Sequence, residues 1–272
     1  MPSAELALKR RDWLLATMER QRRLSAFAGN VPVQASLTGE QFLTHFYAPG
    51  RPVLMQKIAA DWTATNWTPE GLAERVGSAP VEVQGGRESD PDFETRKDDH
   101  RQTMPFDAFI DAIGVGGNDL YMTAYNSAAN RKVLAVLDTD LGTIDAVLTD
   151  APGMMWIGPG GTFTPLHFDL TNNLIVQLVG RKTIVLIPPA ETAKLGHEDA
   201  VFSTVGDIED EAALARQPGA IDAHRFTLEL GPGDALFVPI GWWHQVRAAE
   251  FSVTMTYTNF RWPNRGHEDY PG

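Results

Sequence analysis

From residue 153 onward the chain breaks into eight short apolar segments, MMWIG, FTPLHFD, NLIVQLVG, KTIVLIPP, FTLEL, ALFVPI, HQVRA and FSVTMTYTNF. Each is too short for an ordinary helix, and most are rich in β-branched or aromatic residues, which suit a pleated, half-buried surface. Glycine-bearing turns such as GPGG, VGRK and GPGD separate several of them. This pattern restricts the C-terminal half to an antiparallel barrel or sandwich and suggests a meander. A polar insertion between Pro189 and Arg225 interrupts the series, with a short helix expected near EDEAALAR.

The first half reads differently. Residues 4 to 27 suggest a helix with a narrow apolar stripe through Leu6, Trp13, Leu14 and Met18, expected to pack on the domain, or else to bind a partner. Thr38 with Gln41 has the form of a capping box for a short helix, and Thr68 with Pro69 marks another helix start. Residues 85–103 are almost wholly polar or charged, with Phe93 the one large apolar side chain. Such a stretch is expected to be a solvated surface loop, with a lid as the alternative. MPFDAFIDAIG then reads as a helix and DLYMTAYN as a strand.

Composition excludes several chemistries. The chain has 272 residues and no cysteine, which removes disulfides, thiolate nucleophiles and sulfur-ligated metals, so any metal must be held by His, Asp and Glu. A net charge of −12 argues against broad nucleic-acid binding, although the first thirty residues are locally basic. No apolar run suits a membrane span or a signal peptide, so a soluble, cytoplasmic protein is expected.

Against that background, TPLHFDLTNN stands out. On a strand, residues two apart share a face, so His167 and Asp169 can point together into a barrel mouth. His244, delivered by the block GPGDALFVPIGWWH, is the candidate third ligand from a neighbouring strand. Two histidines and one carboxylate on one side of a metal suit non-haem Fe(II) with positions left open. Taken alone, His-x-Asp reads better as a surface ion pair. His45 on an apolar helix face, His100 in the charged stretch, and His197, His224 and His267 in polar or terminal segments read as structural or solvated. Lys182, at the head of the apolar KTIVLIPP, which reads as a hairpin partner, would be costly to bury without an anion. With Thr164, Asn173 and Asn259 it could cradle a dicarboxylate. Asn172 falls on the face opposite Asn173 and reads as a turn or surface residue.

From about Leu120 to Trp262, through TPLHFD, NLIVQLVGRKTIVLIPP and LGPGDALFVPIGWWHQV, the sequence resembles the Jumonji C family of 2-oxoglutarate-dependent oxygenases, in particular its cupin-like hydroxylases, of which an asparaginyl hydroxylase is the type. The first 119 residues resemble the family's N-terminal additions only in outline. The resemblance implies a mainly β protein with flanking helices, a double-stranded β-helix (jelly-roll) barrel over residues 120–272, and an extension over residues 1–119 packed on it.

The resemblance further implies that His167, Asp169 and His244 bind Fe(II), and that Lys182, Thr164 and Tyr121 hold the distal carboxylate of 2-oxoglutarate. Asn173 and Asn259 would lie near the other carboxylate. The implied reaction consumes O2 and 2-oxoglutarate, releases succinate and carbon dioxide, and hydroxylates a C–H bond of a protein or peptide. An N-methyl-lysine demethylase or a small-molecule hydroxylase would use the same core, and a non-catalytic metal-binding cupin is a further alternative. Arg261 stands where the asparaginyl hydroxylase has an aromatic residue, which implies a more cationic substrate pocket. The dimerising C-terminal helices of that relative have no counterpart, leaving a homodimer open.

Overall fold

A computed structural model describes residues 3–25, 29–196 and 201–271. The strands among them are β1 (Val33–Gln34), β2 (Val53–Met55), β3 (Pro80–Gln84), β4 (Arg101–Pro105), β5 (Met154–Gly158), β6 (Phe163–Phe168), β7 (Asn173–Val179), β8 (Lys182–Ile187), β9 (Phe226–Leu230), β10 (Ala235–Val238), β11 (Trp243–Ala248) and β12 (Ser252–Tyr257). The larger sheet has the order β1-β2-β10-β7-β12-β5 and the smaller β6-β11-β8-β9.

From β5 to β8 successive strands alternate between the two sheets, and β10, β11 and β12 alternate again. The meander suggested by the spacing is therefore corrected: the short turns are corners of a jelly roll rather than hairpins. At the corner between β7 and β8, Gly180 takes φ 71°, and a Cβ there would run into the Phe251 carbonyl oxygen. Only glycine fits that conformation and that contact. In consequence β8 pairs with β11 and β9, so Lys182 does not lie on a hairpin partner of the preceding strand.

Strand alternation sorts the apolar side chains into three clusters. Ile184, Leu186, Leu236, Val238 and Trp242 pack between the sheets and close one end of the barrel. Leu174, Val176, Phe237, Val253 and Met255 point outward from the larger sheet and are covered by Phe42, Trp62, Leu72 and Phe109 from the first half of the chain. Leu166, Val185 and Trp243, outward from the smaller sheet, are covered by Leu195, Val205 and Ile208 from the 189–225 insertion. The first half is thus also a structural part of the barrel, since β1 and β2 extend the larger sheet beside β10.

The N-terminal helix α1 (Ala4–Arg22) forms, but not with the expected contacts. Its apolar stripe faces solvent, with Trp13 65% and Met18 56% exposed. The helix is held through its opposite, charged face. Buried Glu19 accepts from Arg22 at 2.7 Å and faces His224 Nδ1 at 2.8 Å, while Arg23 donates to buried Glu191 at 2.7 Å. A network of this kind fixes orientation where apolar burial is scarce. The expected helical turns at residues 26 to 27 and His197 lie outside the described residues.

The 85–103 stretch is ordered rather than free. Its end forms β4, paired antiparallel with β3. His100 is buried, with Nε2 2.8 Å from Asp90 Oδ2 and Nδ1 3.0 Å from the Gly85 carbonyl. The hydrogen bond from His100 holds the Asp90 carboxyl down at about 2, and the same bond raises the His100 imidazole above its ordinary value. A raised histidine stabilises the fold below its unfolded pKa of about 6.5 and loses that contribution as pH rises through its folded value. The melting-temperature gap between wild type and His100→Gln should therefore be largest near pH 6 and shrink toward pH 8.5. A gap independent of pH would remove the charged pair from the account.

Candidate metal and co-substrate site

The candidate site lies at the open end of the barrel, in a cavity of about 290 Å³. His167 on β6 and His244 on β11 are direct cross-strand partners, with ring centroids 4.2 Å apart. Asp169 follows immediately after β6 and returns to the same face. Its Oδ1 lies 3.8 Å from His167 Nε2 and its Oδ2 lies 3.8 Å from His244 Nε2. Among the described residues this is the one group of three such side chains whose ligand atoms all lie within 4.8 Å of one another.

The backbone sets the tautomers. His167 Nδ1 lies 2.8 Å from the Pro165 carbonyl and His244 Nδ1 lies 3.0 Å from the Trp242 carbonyl. Each carbonyl can only accept, so each Nδ1 carries the proton and each Nε2 presents its lone pair to the shared space. Burial, reinforced by His244, pushes the His167 imidazole well below its ordinary value, which keeps it neutral and able to donate that pair. Burial alone would raise the Asp169 carboxyl. The two imidazoles and the Asn173 amide, 3.0 Å from Oδ2, outweigh it and hold the carboxyl below the usual range.

A backbone irregularity completes this wall. His244 pairs with His167, but Val246 pairs with Thr164, so β6 carries one more residue than β11 over that span. The extra residue is a β-bulge, and it lets Thr164 and His167, three apart, both line the cavity. Pro165 lies in this stretch of an edge strand, where its lack of an N–H costs no ladder bond.

Lys182 enters from β8 on the other side of the cavity and is only 3% exposed. Its Nζ donates to the Tyr121 hydroxyl at 3.1 Å, the one side-chain hydrogen bond it makes among the described residues. An ammonium buried with a single neutral partner lacks the anion its burial calls for. Tyr121 is itself tightly held. A Cβ on Gly158 would come within 2.5 Å of its ring, so Gly158→Ala should displace the ring or strain β5, at a cost of about 1–3 kcal/mol. Chemical denaturation measures this; an unchanged midpoint would show the ring free to move.

Other predicted residues fare differently. Asn173 lines the cavity, with its Oδ1 buried and unpartnered. Asn259 is not brought there: its amide donates to the Thr149 carbonyl at 2.6 Å, because the chain has left β12 and pairs with residues 147–149. Arg261 is exposed and donates to the Asp145 carbonyl, so it does not make this cavity cationic. Asn172 is buried rather than a surface residue, bonding Asn264 and accepting from the Ile240 amide at 3.0 Å.

The wall also contains Glu94, Lys97, Trp156, Phe202 and the row Thr254, Thr256 and Thr258, which were not singled out from sequence. The threonine row was legible in TMTYT as alternate residues of one strand. Glu94 and Lys97 belong to the 85–103 stretch, which therefore lies across the cavity mouth rather than standing free as a loop. Phe202 stacks on His167 at 5.6 Å between ring centroids.

The residues present fit a divalent metal and a dicarboxylate. Two directed imidazole lone pairs and an ionised carboxylate converge, and a buried lysine lines the same cavity. No described helix is long and apolar enough to cross a membrane.

Comparison with known proteins gives the same neighbourhood. The family model for the cupin-like domain matches residues 39–264. The chain is 28% identical over 255 residues to Jumonji C domain-containing protein 5 of Drosophila melanogaster, an alignment covering 88% of this chain and 62% of that protein. It is 27% identical over 231 residues to lysine-specific demethylase 8 of Xenopus tropicalis, covering 80% of this chain and 50% of that protein. It is also 27% identical over 260 residues to tRNA wybutosine-synthesizing protein 5 of Gallus gallus, covering 89% and 80% respectively. The chain thus spans less than two thirds of the first two relatives.

Proposed function

Because the chain belongs to the cupin-like Jumonji C family, we propose that it is an Fe(II)- and 2-oxoglutarate-dependent dioxygenase that hydroxylates a C–H bond of a protein or peptide side chain. The observation that carries this reading is the pairing, in one cavity, of the His167, Asp169 and His244 cluster with a buried lysine whose side-chain partner is a neutral hydroxyl.

In this reading His167 Nε2, His244 Nε2 and Asp169 hold the iron, and the carbonyls of Pro165 and Trp242 keep both imidazoles in the ligating tautomer. Lys182 and Tyr121 take the far carboxylate of 2-oxoglutarate, with Thr164 on the same wall. Asn173 orients Asp169 through its amide nitrogen, and its own oxygen is buried without a partner. When bound, iron, 2-oxoglutarate and O2 supply an oxidative decarboxylation that yields succinate and carbon dioxide and places one oxygen atom in the substrate C–H bond. Ile175, Trp156, Val246 and Phe202 present apolar surface around these groups and limit access of water.

Purified protein with Fe(II) and ascorbate should convert 2-oxoglutarate to succinate, slowly alone and faster with a peptide substrate. Absence of Fe(II)-dependent 2-oxoglutarate binding would overturn the oxygenase reading. Formaldehyde released in step with succinate would assign N-demethylation instead. Stimulation by tRNA and not by any peptide would overturn the protein-substrate part, which the net charge of −12 favours.

A further inference from the structure

One buried cation outside the metal and co-substrate groups has no role in the reading above. Arg87 is 2% exposed and opens the segment that crosses the cavity mouth. Its Nε donates to the Asn118 carbonyl at 3.1 Å, and its Nη2 donates to Asn118 Oδ1 at 3.3 Å and to the Phe163 carbonyl at 3.0 Å. The same Nη2 lies 3.2 Å from Glu94 Oε1. The guanidinium carbon is 4.1 Å from the centre of the Phe93 ring and 5.3 Å from that of Tyr121.

These contacts join three pieces of chain, adding side-chain bonds to the backbone ones by which Gln84 pairs with Tyr121 and the Arg87 amide meets the Asp119 carbonyl. Asn118 belongs to the turn that delivers Tyr121, and its Oδ1 also accepts from the Phe163 amide at 2.9 Å. Phe163 begins β6, one residue before Thr164 and four before His167. Phe93 and Glu94 belong to the segment over the mouth, and Glu94 Oε2 in turn lies 3.2 Å from Lys97 Nζ. A planar fork with donors in fixed directions can serve several acceptors at once, which a lysine cannot. Without it, the Asn118 and Phe163 carbonyls would each lose a donor, and Asn118 Oδ1 and Glu94 would be left with the Phe163 amide and Lys97 respectively, a costly change at this depth.

Resting on the oxygenase reading above, we infer that Arg87 is a positioning residue: it pins the 87–100 segment across the cavity mouth and sets the wall bearing Tyr121 and Thr164 against Lys182. The segment is then a strap held at both ends, by Arg87 at its start and by the His100 and Asp90 pair at its finish.

The test uses the full chain loaded with Mn(II), with trypsin cleavage after Arg96 or Lys97 and calorimetric binding of 2-oxoglutarate as readouts. Arg87→Met should be cut in the strap several times faster than wild type. It should also bind 2-oxoglutarate about tenfold more weakly, the usual scale for loss of a supporting partner, with Mn(II) affinity unchanged. Arg87→Lys should recover part of both. Glu94→Gln, which keeps the shape and removes the charge, should loosen the strap in the same direction and serves if Arg87→Met fails to fold. If wild type binds 2-oxoglutarate and both Arg87→Lys and Glu94→Gln match it in cleavage and affinity, the inference is wrong. A lowered melting temperature with intact 2-oxoglutarate affinity would likewise reduce Arg87 to a structural residue. Failure of the wild type itself to bind 2-oxoglutarate would instead count against the oxygenase reading.

Discussion

His167→Ala is expected to leave a folded protein that neither retains iron nor turns over 2-oxoglutarate. The fold should survive because the anchoring of β6 lies in Leu166 and Phe168, which pack outward, while among the described residues the His167 ring hydrogen-bonds to a carbonyl two residues away. The metal site should not survive. Losing one of three directed donors should cost more than the 10- to 100-fold typical of an outer partner, so Mn(II) affinity should fall by more than about 100-fold. Calorimetry with Mn(II) and a succinate assay with Fe(II) measure the two effects. Turnover persisting in the variant would remove His167 from the chemistry.

The second large effect has opposite signs in its two readouts. Lys182→Met removes a buried ammonium whose one side-chain hydrogen bond among the described residues is to a tyrosine hydroxyl, so the ligand-free protein should melt no lower than wild type, since the desolvation penalty disappears with the charge. Binding of 2-oxoglutarate should weaken on the order of 100-fold, because the carboxylate would then be buried without its partner. Metal affinity should not change, as Lys182 touches none of the three candidate ligands. Loss of stability together with equal loss of metal and 2-oxoglutarate binding would show that Lys182 supports the fold instead. Sites that hold an unpaired charge in readiness for a ligand commonly trade stability in this way.

Much of the site could be read from two-residue periodicity. His167 and Asp169 share a face for that reason, and His244 reaches them because the apolar ALFV and WHQVRA segments really are strands. The periodicity failed where the backbone departs from it. Thr164 lines the cavity only through the bulge in β6, an irregularity that no spacing rule contains. Asn259, placed by its spacing from His244, and Arg261, placed by the resemblance, both lie where the chain has already turned to pair with residues 147–149. The 85–103 stretch looked solvated because it is long, charged and holds one large apolar side chain, which says nothing of where its polar groups bond. Arg87 finds them at Asn118 and Phe163, and Asp90 finds one at His100. For α1 the apolar stripe was the wrong guide, since the docking contacts are ion pairs on the opposite face.

β6 is the outer strand of the smaller sheet, yet its free edge does not face solvent. The Leu166 amide donates to the Gly206 carbonyl at 2.7 Å, the Phe168 amide donates to that of Val201 at 3.1 Å, and the Ser203 amide donates back to the Leu166 carbonyl at 2.9 Å. The strand that bears His167 and leads into Asp169 is therefore shielded by a few residues of the polar insertion. Trimming that insertion would leave this strand open to strand pairing with other molecules. Chains so shortened would be lost to polymerisation before any change in their chemistry could be measured, which makes the insertion a guardian of solubility as well as a cover for Trp243.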